Sequence, residues 1–119
     1  MLASLPHFST RRLGEREVSI LPCEGEWLKS LDTEERKRIG TDIAYVQFKW
    51  PMGKPRVDHL RGPIWEIRTT LRGRIARVLF VVDGDELVLL HGFIKKTQQT
   101  VNDDIELAEV RWKEWQDAE

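Results

Sequence analysis

The sequence predicts an α+β fold in which an antiparallel β-meander packs against two N-terminal helices and a C-terminal helix. Three observations carry that expectation. Apolar residues recur at helical spacing up to Trp50, alternation of period two takes over from Ile64, and helical spacing returns from Ile105. With 119 residues, 33% charged and 40% hydrophobic, the composition is that of an ordinary globular chain, and it is expected to form one domain, residues 1–119.

Taken in order, residues 1–23 suggest one or two short strands, around the apolar pair Leu5 and Phe8 and around Val18, Ile20 and Leu21 before Pro22. A short helix follows over Glu24–Leu31, with Trp27, Leu28 and Leu31 on one side. Asp32, three residues before Glu35, is spaced as the cap of a second helix. Its Ile39, Ile43, Val46 and Trp50 form one buried stripe, and Pro51, Gly53 and Pro55 stop it. The charged segment Glu34, Glu35, Arg36, Lys37, Arg38 reads as a solvated first turn, with binding of a partner as the alternative.

Strands are expected near residues 63–70, 74–82 and 86–93, where β-branched and aromatic residues alternate. Leu71-Arg72-Gly73 and Asp83-Gly84-Asp85 supply the turns, because glycine accepts positive φ without a Cβ clash. A meander of this kind buries its faces only if helices cover it. The last helix opens near Asn102 or Asp103 and aligns Ile105, Ala108, Trp112 and Trp115. Acidic residues at its start suit the positive end of the helix dipole. The two tryptophans are assigned to a core or a dimer contact rather than to base stacking.

Nineteen Lys and Arg against twenty Asp and Glu give a formal charge of −1, which offers no overall sign of a nucleic-acid or membrane partner. The distribution is uneven. Residues 54–96 carry nine positive and five negative side chains, whereas residues 97–119 carry two and seven. The lone Cys23 allows no internal disulfide, and no Cys/His set has zinc-ligand spacing, so neither metal nor other cofactor is expected. No stretch approaches the roughly 20 apolar residues of a membrane span, and no apolar signal region opens the chain; a cytoplasmic location is expected.

Alternation in Trp65-Glu66-Ile67-Arg68-Thr69 puts Glu66 and Arg68 on the face opposite Trp65. In the next strand Arg77 shares a face with Ile75, Leu79 and Val81, so it needs either a partner or an open site. Lys95 and Lys96 emerge where the β pattern ends. These cations are able to converge on an anion, guanidinium forks matching phosphate oxygens. The alternative is ordinary pairing with Glu66, Asp83, Asp85 or Glu86. His91 titrates near neutrality and suits proton transfer, but its strand position equally suits a buried, hydrogen-bonded imidazole.

The run Leu60-Arg61-Gly62-Pro63-Ile64-Trp65-Glu66-Ile67-Arg68, then Arg77-Val78-Leu79-Phe80, then Leu89-Leu90-His91-Gly92-Phe93-Ile94-Lys95-Lys96-Thr97-Gln98, resembles the phage-derived, HigB-like branch of the RelE/ParE toxin superfamily. The likeness extends from about Glu26 to Trp115. It implies a RelE-like fold and the toxin of a type II toxin–antitoxin pair, an mRNA endonuclease on the translating ribosome. The implied partners are the ribosome, mRNA and an antitoxin carrying a helix-turn-helix domain, which would hold the toxin in a hetero-oligomer; no membrane is implied.

The implied reaction is metal-independent transphosphorylation, in which a ribose 2′-OH attacks the adjacent phosphate. Such a reaction needs positioning, charge stabilisation and proton transfer. By this resemblance Arg68 and Arg77 bind the phosphate, Lys95 or Lys96 adds charge or moves a proton, and Glu66 or His91 serves as base or acid. Lys54, Arg56, Arg61, Arg72 and Arg74 are the expected RNA contacts. The pattern departs in one respect: several RelE-type nucleases use a tyrosine near the C-terminus, whereas the only tyrosine here is Tyr45. The same scaffold also admits a ParE-like gyrase inhibitor or an inactive, antitoxin-binding homologue.

Overall fold

A computed structural model describes residues 7–8, 17–95 and 101–118. Its elements run β1 (His7–Phe8), β2 (Glu17–Ile20), α1 (Pro22–Ser30), α2 (Thr33–Lys49), β3 (Val57–Arg61), β4 (Ile64–Leu71), β5 (Arg74–Asp83), β6 (Glu86–Lys95) and α3 (Asn102–Ala118). The class is α+β, as expected. The strands form one six-stranded sheet in the order β1-β2-β6-β5-β4-β3.

Local chemistry accounts for the element boundaries. Pro22 occupies the first turn of α1, where its missing N–H costs nothing. Asp32 caps α2 by accepting the Glu35 backbone N–H at 2.8 Å. Gly73 (φ 74°) and Gly84 (φ 59°) let the two hairpin turns close in two residues.

Two features go beyond the expected meander, which is itself antiparallel throughout. The meander has a fourth strand, β3, on its outer edge, and the sheet is mixed, because β2 pairs in parallel with β6, Glu17 opposite Glu86 through Ile20 opposite Leu89. β3 escapes the alternation test because only Val57 in it is fully buried and the register slips between His59 and Arg61. Leu5 and Lys96 lie outside the described residues.

Helices cover both faces. Ile39, Ile43 and Val46 of α2 pack with Val57, Ile67, Leu71, Ala76, Val78 and Phe80, and Trp27 and Leu28 of α1 join them. Trp50 locks the end of α2 down, meeting Trp65 edge-on at a ring separation of 4.9 Å. On the opposite face, Ala108, Trp112 and Trp115 of α3 pack over Ile64, Leu79, Val81, Val88 and Leu90. The tryptophans of α3 are therefore core.

A bulge in β6 decides which way His91 points. Phe80 pairs with Leu89 but Leu79 pairs with His91, so Leu90 is an extra residue in the strand. Before it, Leu87 and Leu89 face α1 and α2; after it, Gly92 and Ile94 do, and His91 and Phe93 turn toward α3. Gly92 is required there. A Cβ on it would stand 2.2 Å from the Trp27 ring and 2.8 Å from a Glu24 carboxylate oxygen.

Candidate active site

The site is built on the face of the sheet that α3 covers. Antiparallel register places Arg68 directly opposite Arg77 and Arg77 opposite Phe93, one row of cross-strand neighbours. The adjoining row reads Asp58, Glu66, Leu79 and His91. Strands about 4.8 Å apart thus bring two guanidinium groups and two carboxylates together.

Arg77 is fully buried, as is Glu66, and its Nη1 donates to the Glu66 carboxylate at 2.9 Å. Arg68, whose side chain is 29% exposed, donates to Asp58 at 3.3 Å and lies 3.4 Å from the second Glu66 oxygen. Lys54 approaches the other Asp58 oxygen at 4.0 Å. The resulting chain, Arg77–Glu66–Arg68–Asp58–Lys54, runs from the interior to the surface. Water reaches only its outer members, so Arg68 is the arginine of the pair with access to an anion, while Arg77 fixes Glu66, which in turn orients Arg68.

Of the other residues singled out from sequence, Lys95 has its backbone opposite Ile75, one row beyond Arg68 and Arg77. Its side chain and Lys96 lie outside the described residues. His91 is separated from Glu66 by Leu79 and engaged on both ring nitrogens. Nε2 is 2.9 Å from an Asp104 oxygen, and Nδ1 is 3.2 Å from Arg111 Nη1. Arginine only donates, so Nδ1 accepts and the proton sits on Nε2, directed at Asp104. Arg111 also donates to the Leu90 carbonyl at 2.9 Å and to Glu24 at 3.2 Å.

Glu24 accepts the Gly92 backbone N–H, and burial raises its pKa above 4.5, opposed by that bond and by Arg111. This second cluster stitches α1, β6 and α3 together.

The remaining basic residues do not gather. Arg61 is tied to α3, donating to Asn102 at 2.9 Å and to Glu109 at 3.1 Å. Arg74 pairs with Glu35 on α2, and Arg72 is exposed in the β4–β5 turn. Arg56 lies 3.8 Å from Asp42 and stacks over the Tyr45 ring at 4.2 Å. Sequence reasoning missed Asp58, Asp104 and Arg111. Asp58 belongs to the unrecognised strand, and the other two look like ordinary polar positions of an amphipathic helix.

A family model described as phage derived protein Gp49-like (DUF891) matches residues 26–113, from α1 to near the end of α3. The chain belongs to this Gp49-like family. The family is one of RelE/HigB-like toxins of toxin–antitoxin systems, so membership brings an antitoxin as the expected partner. Among curated proteins, no match to the chain is found. The matched segment of this Gp49-like chain contains the first cluster, Arg68 with Arg77 and Glu66, and, of the second, His91 and Arg111 but not Glu24. No helix among the described residues is long and apolar enough to cross a membrane.

Proposed function

We propose that this Gp49-like protein is the toxin of a type II pair and cleaves mRNA on the translating ribosome, without a metal. The observation that carries the reading is the juxtaposition, within a toxin family, of Arg68 and Arg77 with Glu66 and Asp58 on one face of the sheet. In the proposed reaction the 2′-oxygen forms a bond to phosphorus and the bond to the 5′-oxygen breaks. The 2′ proton leaves to a base, and the departing 5′-oxygen takes up a proton.

Arg68 contacts the phosphate and offsets its growing negative charge. Arg77 is a positioning residue, holding Glu66 so that Arg68 is presented in one orientation. Asp58, the outer carboxylate beside Arg68, is the better placed proton acceptor of the two, because Glu66 is sealed from solvent. Lys95 and Lys96 remain assigned to charge or proton transfer. His91, with both nitrogens occupied, serves the fold.

The test is induction in cells lacking the antitoxin, with mapping of mRNA ends. Cleaved mRNA and arrested translation are expected, and Arg68→Ala should lower cleavage by about 100-fold while leaving the protein folded. DNA damage with intact mRNA would replace the reading with a gyrase poison. The complete burial of the Arg77–Glu66 pair favours a second reading, an inactive homologue that keeps the fold for its antitoxin; absence of any growth inhibition would establish it.

A further inference from the structure

β4 extends beyond β3. The last cross-strand partner of β3 is Ile67, opposite Val57, and the Arg68 N–H reaches the Arg56 carbonyl just before β3 begins. From there to Leu71 one side of β4 has no strand beside it among the described residues. The alternation of backbone groups that turns the Arg68 N–H to this side turns Thr70 the same way, and the Thr70 carbonyl accepts from Arg38 of α2 at 3.3 Å. Between this open edge and α2 lies a groove of about 1090 Å³.

The α2 wall is written at helical spacing. Thr33, Lys37 and Thr41 form one row, and Glu34, Arg38 and Asp42 form the next. Opposite them stand Arg56, Arg68, Thr69 and Thr70. Among the described residues, Arg38 and Arg56 have only loose carboxylate partners, at 3.6 and 3.8 Å, and no ion pair involves Lys37. Thr69 is 3% exposed and lines the groove, and its buried Oγ1 has no hydrogen-bond partner among the described residues. A buried hydroxyl left in that state is costly unless something outside the fold satisfies it.

At one end the α2 stripe continues into exposed aromatic rings, Tyr45 at 42% and Phe48 at 61%, with Arg56 stacked on the first. At the other member of the lining, Arg68 leads through its guanidinium to Asp58 and Glu66.

We propose that this groove is a track for the sugar–phosphate backbone of single-stranded RNA, which it delivers to Arg68. Lys37, Arg38 and Arg56 neutralise successive phosphates, the Thr69 hydroxyl donates to a phosphate oxygen seated in the groove, and Tyr45 and Phe48 offer stacking surfaces for unpaired bases. Duplex RNA would leave those rings unused. The proposal rests on the ribonuclease reading for the identity of the nucleic acid and adds the path by which the strand arrives.

The test is fluorescence anisotropy of the full chain with a labelled oligouridine of about ten nucleotides at two salt concentrations. Lys37→Glu should weaken binding about fivefold and flatten the salt dependence by about one phosphate's worth. Lys37→Arg should restore it. Thr69→Val, nearly the same shape, should weaken binding about threefold with a melting temperature no lower than the parent's. Lys113→Glu, on the outer face of α3, should bind as the parent does.

Parent-like RNA affinity in both Lys37→Glu and Thr69→Val would overturn the proposal. The two readings fail separately. Cleavage of mRNA by a chain whose affinity is insensitive to these substitutions would remove the track and keep the nuclease. Binding lost as expected, with no mRNA cut on induction, would keep the track and remove the nuclease.

Discussion

Where β6 outruns β2 and where β4 outruns β3, the sheet meets the same problem, a stretch of strand with no strand on one side among the described residues, and resolves it in opposite ways. Beyond Leu89, β6 is closed by side chains: Arg111 takes the Leu90 carbonyl, Glu24 takes the Gly92 N–H, and the two bind each other. Beyond Ile67, β4 is left facing a groove, touched by the long side chain of Arg38. The sealed edge is a joint between α1 and α3. The open edge keeps cations, hydroxyls and backbone groups within reach of solvent. A small sheet protein can thus spend one exposed edge on stability and leave the other for recognition.

This contrast is sharpest in the cost of removing each arginine. Arg111→Ala strands the buried Glu24 carboxylate and the Leu90 carbonyl together, and should cost about 3 kcal/mol in denaturant unfolding. Arg38→Ala exposes Thr70 to water that can replace the lost bond, and should cost under about 1 kcal/mol. Similar losses in the two variants would dissolve the distinction between the edges.

A smaller effect reads the sealed edge through pH. The Glu24 pKa is raised in the folded chain, so between 4.5 and its raised value the folded state holds a proton that the unfolded state has released. Stability must then fall as pH rises through that window. In Glu24→Gln this contribution to the slope should vanish, which urea unfolding from pH 4.5 to 7 would register as a flatter profile.

Elements defined by local spacing were legible in the sequence. The Asp32 cap, the Ile39-Ile43-Val46 stripe and the glycine turns each depend on residues a few positions apart. What depended on register was not. Leu90 bulges out of β6, so simple alternation from Leu87 would have sent His91 into the α1 and α2 core. β3 hides a single buried valine among polar residues.

For the site, alternation isolated Glu66, Arg68 and Arg77 and required a partner or an open site for Arg77. That Glu66 is the partner, and that both are sealed, follows from cross-strand pairing and the helix overhead. Lys37 and Arg38 read as a solvated turn because the strand edge opposite them comes from residues 32 positions away.

The parallel pairing of residues 17–20 with residues 86–89 also bears on synthesis. The chain between them must be closed into a loop before the pairing gains anything, a cost of about 4 kcal/mol in chain entropy. The meander and its hairpins can form first, but β2 joins only after β6 has been made. A nascent chain therefore completes the centre of its sheet late, and α3, which seals β6 through Arg111, follows later still.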